Sequence, residues 1–500
     1  MQSAVGFLEC RTVTGSPPSA PSRAQLATSA ERKRAQRCFT WGMPFELRPP
    51  PARRFRPALP ILMAVWASTA AAAEPVTVLR AARLYDGKSD AVVSPGVVVV
   101  VNGTILAAGP RAEVPGGARV IDLGDATLLP GLMDAHTHLS FESSLDWKQD
   151  QLDQLKKPIS EQAIDATEYA RRTLLAGFTT VRDLGSSDLI DVGLRNAIEA
   201  GKVPGPRMLV AVNAIGARGG HCDPTGGFRP ELMKEPGPEQ GVANGPDEIR
   251  AAVRFDAKHG ADVIKTCATG GVLSEADKVD SPQLTQAELD ALVDEAHALG
   301  RRAAAHAHGA EGAKRAIRAG IDSIEHGSFL DDEAFELMRK KGTAFVPTPL
   351  PCIMERIRAA KAPARIIEKA ASADARAVET LKRAVAKNAR IAFGSDAAVC
   401  PHGTQLNQFA IFVRAGMKPL AAIRTATSVD AALLGVPDRG TLEAGKLADV
   451  VAVPGDPSRD IAVMERLFFV MKGGTVVRND RGAPSKVAGG ERSGSSGAAN

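Results

Sequence analysis

Leu128-Leu129-Pro130-Gly131-Leu132-Met133-Asp134-Ala135-His136-Thr137-His138 decides how this chain is read. An apolar run meets a Pro-Gly break and then delivers two histidines two residues apart. Side chains at i and i+2 of an extended backbone share a face. Both imidazoles therefore leave a strand end in the same direction, placed to grip one metal ion. A lone His-x-His is weak, because polar residues are ordinary at strand ends. What gives it weight is the rest of the chain, which supplies further ligand types in a regular order.

Outward from that stretch the sequence alternates. Strand-like runs lie at residues 128–135, 178–184, 207–212, 262–268, 302–306, 323–326, 344–349 and 390–395. Helical patterns fall between them, at 161–176, 246–258, 286–299, 311–319 and 365–388, and glycines 177, 260, 300, 320 and 342 stand where helices end. Eight strands, each followed by a helical stretch, predict an α/β fold of the (β/α)8 TIM-barrel type. A doubly wound open sheet is the competing arrangement, but no Gly-x-Gly-x-x-Gly turn follows the first strand.

Both flanks of this middle are β-rich. Residues 76–126 read as short strands, with Asn102-Gly103 a strong hairpin turn. Residues 447–453 and 467–477 are strand-like again, around Gly473-Gly474. One small β-sandwich assembled from both chain ends is expected, its first segment over 74–126 and its second over 439–480. The barrel lies between them over 127–438, and a disordered Gly/Ser/Ala-rich tail follows over 481–500. Residues 1–73 are read as a leader and signal peptide. Arg53, Arg54 and Arg56 precede an apolar run that ends in Ala71-Ala72-Ala73, the pattern of a cleaved secretory signal. Residues 1–42 sit awkwardly before such a signal, and Met43 is the more natural start. The expectation is export to the periplasm or the medium, without stable membrane insertion.

The net charge of +5 is concentrated in this leader, which holds ten Lys/Arg against three Asp/Glu. The remaining body is slightly acidic, which removes any electrostatic case for nucleic acid. Four cysteines, Cys222, Cys267, Cys352 and Cys400, lie widely apart without a Cys-x-x-Cys pair, and are expected to be plain packing or loop residues.

Barrel chemistry is built at the C-terminal ends of the strands. Those ends carry His136 and His138, then Lys265, then His306 and His308, then His326, then Asp396. Five of the nine histidines fall there. Imidazole and carboxylate donors suit zinc and its first-row relatives. His259, His297 and His402 are read as structural. Arg182-Asp183 is read as support for the site or as a salt bridge within the barrel. The Gly/Pro-rich stretch 222–245 is long enough for a lid, with disorder an equal alternative.

Pro-Gly-Leu-Met-Asp-Ala-His136-Thr-His138, Ile-Lys265-x-x-Ala-Thr-Gly-Gly, His306-Ala-His308-Gly, Ile-Glu-His326-Gly and Gly-Ser-Asp396 together resemble the amidohydrolase superfamily of binuclear metal hydrolases. Within it the chain is similar to the imidazolonepropionase-like group, which includes Xaa-Pro dipeptidases and ochratoxin-hydrolysing amidohydrolases. The resemblance spans about residues 76–479. It implies two divalent metal ions, zinc in the first instance, with His136, His138 and Asp396 on one and His306 and His326 on the other. It implies that Lys265 is carboxylated by carbon dioxide to a carbamate bridging both. A metal-bridging hydroxide would attack the amide carbonyl, its pKa lowered by coordination. Asp396 would take the proton and pass it to the leaving amine. His221, on the long loop after the third strand, would polarise the scissile carbonyl, bind a substrate carboxylate, or serve as a simple loop histidine. His308 would contact substrate, or exchange roles with His306 as ligand.

The expected activity is hydrolysis of dipeptides (Xaa-Pro-like) or N-acyl amino acids. The alternative substrates are cyclic amides or amide-linked aromatics such as ochratoxin. A reading of another class is a non-catalytic exported binding protein, which the full ligand set disfavours. Assembly into a homo-oligomer is compatible with the resemblance.

Overall fold

Gly131 divides what the sequence presents as one strand. In the computed structural model, which describes residues 76–349 and 351–481, Ala126–Pro130 belongs to one sheet and Leu132–Thr137 to another. A Cβ on Gly131 would lie 2.4 Å from Thr179 Oγ1 and 2.8 Å from Asp449 Cβ, so only glycine lets the chain pass between the two. The expected strand 128–135 is corrected accordingly: two strands meet at a glycine, and the histidines ride on the second.

That second strand, β1 (Leu132–Thr137), pairs in parallel with β2 (Phe178–Asp183), and β2 with β3 (Arg207–Val210). After a bend the chain forms a short strand, Ala214–Ile215, parallel to β4 (Val263–Cys267). From there β5 (Arg302–Gly309), β6 (Ser323–Phe329) and β7 (Ala344–Val346) follow in sequence order, each parallel to its predecessor. The expected last strand, 390–395, makes no continuous ladder. Isolated parallel bridges take its place, Phe345 to Ile391 within the segment and Thr137 to Ala397 just beyond it. Ala135 N–H donates to Phe393 O and Asp396 N–H to His136 O, so this segment lies hydrogen-bonded against β1. Every residue of β1, β2 and β4 is buried, as expected for parallel strands covered on both faces.

Helices return the chain between these strands, and the fold is α/β. Gln286–Ala298 illustrates why they form. Leu289, Leu292, Val293 and Ala296 recur at helical spacing and are buried, and each large apolar side chain stabilises the fold by about 1.5–3 kcal/mol. Thr285 and Glu288 close a capping box at its start. Ala310–Ala319 and Asp332–Lys341 end on Gly320 and Gly342 in the left-handed conformation, as their sequences predict.

The flanking segments build two further sheets. One is four-stranded, ordered Thr104–Ala108, Gly96–Val101, Thr77–Ala81, Arg119–Asp122. The other is five-stranded, ordered Thr475–Asn479, Phe469–Lys472, Val450–Pro454, Ala126–Pro130, Arg83–Leu84. Leu79, Val98 and Ile105 of the first share an apolar cluster with Leu128, Val450, Phe469 and Met471 of the second.

The cysteine expectation is overturned. Cys222 is bonded to Cys267 and Cys352 to Cys400, with Cα separations of 6.0 and 5.9 Å, inside the range a bridge spans. Their sequence separations of 45 and 48 residues conceal pairs that the strand order brings together. The stretch 222–245 consists of turns and a short helical turn, Pro238–Gln240. Among the described residues no helix is long and apolar enough to cross a membrane. The expected signal and tail fall outside the described residues, apart from Arg481 at the tail's start.

Candidate active site

The end of β1 presents His136 and His138 with their ring nitrogens already assigned by their partners. His136 Nδ1 lies 2.9 Å from Glu325 Oε2, and Glu325 is held from its other oxygen by Arg182 at 3.0 Å. His138 Nδ1 lies 3.0 Å from the Gly185 carbonyl oxygen. A carbonyl or a carboxylate paired with arginine can only accept, so in both neutral rings the proton sits on Nδ1. Both Nε2 lone pairs then face Asp396 Oδ1, each at 3.5 Å. One ligand atom from each of these three residues lies within 4.8 Å of the other two. Locking the second nitrogen of a histidine in this way is how metal-ligating imidazoles are oriented.

Asp396 itself is held in an uncommon conformation, φ 54°, and His326 in another, φ 68°. Non-glycine residues rarely adopt positive φ, and such positions concentrate at functional sites. Ser395 fixes the turn from below, its N–H donating to Asp134 Oδ1 at 3.0 Å and its hydroxyl to Asp134 Oδ2. Asp134 also accepts from His136 N–H at 3.1 Å.

Lys265 reaches the same point from β4. It is 3% exposed, and its Nζ is 3.4 Å from His136 Nε2. Burial pushes its amine down to about 8, against the opposing pull of Glu325 and Asp396. Burial also pushes the Asp396 carboxyl up to about 6. The remaining histidines close the cluster. Ring centroids of His326 lie 4.8 Å from His136, 4.6 Å from His306 and 4.9 Å from His308, and those of His221 and His306 lie 4.3 Å apart. His306 Nε2–H donates to the Gly270 carbonyl at 3.0 Å, which leaves the lone pair on Nδ1. His326 Nδ1 meets Thr348 Oγ1 at 2.7 Å, and His308 Nδ1 meets Ser328 Oγ at 2.9 Å.

Burial lowers every one of these histidines. His138 and His221 fall to about 4 and His308 to about 3, while His136, His306 and His326 lie well below the usual imidazole range. All six are neutral rings offering lone pairs, the form that binds metal. The eight residues singled out from the sequence thus fall into one continuous cluster. His259 and His297 sit apart, bonded to Phe255 O and Asp322. His402 is nearer than expected: it is buried, and its Nε2 is 3.0 Å from the carbonyl of Phe141, whose ring lies against His138.

Sequence reasoning missed Glu325, although it stands in the quoted Ile-Glu-His motif. The signal that could have found it is a carboxylate inside an otherwise apolar strand. It connects Arg182 to His136, which resolves Arg182 as a buried support of the site.

Comparisons with known proteins identify the family of the chain that carries this cluster. The Amidohydrolase family pattern matches residues 127–478. The chain belongs to that family. As an amidohydrolase it is 32% identical over 433 residues to an ochratoxinase of Aspergillus niger, covering 81% of this chain and 87% of that protein. Among solved structures it is similar to a Xaa-Pro dipeptidase with methionine bound in the active site. That match has 44% identity and a TM-score of 0.76, over 81% of this chain and all of the other. A prolidase complexed with N-methylphosphonate-L-proline matches at 30% identity and a TM-score of 0.73, over 81% of this chain and all of that one. This amidohydrolase is a hydrolase acting on amide bonds.

Proposed function

We propose that this amidohydrolase is an exported, binuclear metal-dependent enzyme cleaving dipeptides of the Xaa-Pro kind or N-acyl amino acids. Its parallel strands would form a (β/α)8 barrel over 127–438, with the flanking sheets joined as a β-sandwich from 74–126 and 439–480. The observation that carries this reading is the convergence of the His136 and His138 Nε2 lone pairs on Asp396, beside a buried lysine with a depressed pKa. His136, His138 and Asp396 would hold one divalent ion, zinc by donor type, and His306 and His326 the other. Those ions, when bound, would supply Lewis-acid polarisation of the carbonyl and an activated water.

The chain's own residues have distinct tasks. A lysine amine near its neutral form can add to carbon dioxide and lose a proton, turning Lys265 from a repelling cation into a two-oxygen anionic ligand. Asp396, with its carboxyl raised to about 6 by burial, is poised to take a proton during attack and return it to the leaving amine. Glu325 and Arg182 keep His136 aimed. His308 and His221 lie beside the ligand histidines and would face the substrate.

The similarity to a Xaa-Pro dipeptidase structure at 44% identity supports the dipeptide reading. The similarity to an ochratoxinase supports a second one, hydrolysis of an amide-linked aromatic compound. Metal analysis of natively purified protein, paired with assays on Xaa-Pro, Xaa-Arg, N-acyl amino acids and ochratoxin, separates them. About two metals per chain, with metal and turnover lost in Lys265→Ala, is expected. One metal or none, with Lys265→Ala indistinguishable from the parent, would sink the binuclear reading.

A further inference from the structure

His221 comes from the irregular stretch that follows Ala214–Ile215, and it sits in a cradle of its own. Its Nδ1 is 2.9 Å from Ser274 Oγ, and Ser274 Oγ is 2.7 Å from Asp277 Oδ1. The same carboxylate takes Lys369 Nζ at 2.7 Å and, on its other oxygen, Gln283 Nε2 at 2.8 Å. Gln283 Oε1 accepts the His221 main-chain N–H at 2.8 Å. Side chain and backbone of His221 thus both lead to Asp277. The Asp277 and Lys369 side chains are 8% and 10% exposed, so this is a largely buried charged pair and not a surface one. The ring also fills the space over Gly271, where a Cβ would come within 2.1–2.4 Å of its atoms.

Proton direction follows from the partners. Asp277, ion-paired with Lys369, accepts only, so the single Ser274 hydroxyl proton goes to it. Ser274 Oγ must then accept from His221 Nδ1–H, which leaves the lone pair on Nε2. We propose that Ser274, Asp277 and Lys369 are positioning residues that hold His221 as its Nδ1–H tautomer, with Nε2 a hydrogen-bond acceptor beside His306. His221 then serves a donor group of the substrate, an N–H or O–H, in place of the carbonyl or carboxylate oxygen that the sequence suggested. The substrate role rests on the proposed hydrolase reading; the tautomer does not.

The test therefore has two arms. In metal-free protein labelled with 15N-histidine, the resonances lost in His221→Gln identify this ring. A protonated-type shift at Nδ1 and an unprotonated-type shift at Nε2 are expected, with the pattern lost in Ser274→Ala and kept in Ser274→Thr. Protonation at Nε2 would overturn the proposal whether or not any amide is hydrolysed. In the kinetic arm, Asp277→Asn lowers kcat/KM by ~10–100-fold in the parent, the usual effect of removing an outer partner of a site histidine. In a His221→Ala background the same change costs less than about 2-fold, because the residue it acts through is gone. An equal loss in both backgrounds would mean that Asp277 only supports the fold, and the proposal fails.

Discussion

The two sides of this site are held by different means. His136 and Lys265 stand on buried parallel strands, Lys265 opposite Ala214 and Ala304, and His138 follows directly on the end of β1. His221 and the turn after Asp396 belong to loops, and these are secured by covalent bridges and side-chain hydrogen bonds. Cys222, next to His221, is bonded to Cys267, which shares a face of β4 with Lys265; Cys352 is bonded to Cys400, four residues beyond Asp396. Strand geometry positions a side chain without further help, whereas a loop needs a tether to do the same.

The largest effect is expected at Asp396, where the two sides meet. Asp396→Asn is expected to lower kcat/KM by ~10³-fold or more, while circular dichroism shows an unchanged fold. A loss of under about tenfold would remove Asp396 from the reaction. Glu325→Gln tests whether strand placement alone orients His136. Metal affinity should fall ~10–100-fold in a chelator titration. Stability should also fall by roughly 3–5 kcal/mol, because Arg182 is left buried without its counter-charge. Unchanged metal affinity would show that the strand needs no such support.

The loop side should respond in stability before rate. Replacing Cys352 and Cys400 by alanine frees a 48-residue loop, which the chain-entropy account values at roughly 4 kcal/mol. Denaturant unfolding should report most of that loss, with kcat at 25 °C changed by less than about threefold. A rate collapse with unchanged stability would invert the comparison. The smallest effect is expected outside the cluster, at Asp256, which accepts from Asn213. Burial raises its carboxyl to about 8. The folded state therefore keeps its proton where the unfolded chain, near 3.8, has released it. Stability from this group is full below about pH 4 and declines as pH rises through 8. Asp256→Asn should flatten that decline, so its melting temperature exceeds the parent's by ~2 °C or more at pH 8 but not at pH 4. Parallel melting curves at all pH values would refute it.

Much of the molecule is legible because strands obey a simple period. His136 with His138, and His306 with His308, can be placed on one face from spacing alone, and capping glycines such as Gly320 and Gly342 mark helix ends. The split at Gly131 is not legible, because an apolar run does not say which of two sheets it joins. The segment 390–395 reads as a strand, yet its apolar residues are buried through isolated bridges and not a ladder. Neither disulfide can be read from separations of 45 and 48 residues. Glu325 escapes notice because a lone carboxylate in a strand declares nothing until Arg182 and His136 are seen on either side.

The pairing of Ala126–Pro130 with Val450–Pro454 has a consequence for synthesis. The strand that leads straight into the first two histidines gains one of its neighbours only after Val450–Pro454 has left the ribosome. A nascent chain stopped anywhere before Val450 leaves Leu128 and Leu129 without this ladder. Residues made long after the histidines are thus in register with the strand that leads to them, so the support of the site is assembled across a wide gap in the time of synthesis.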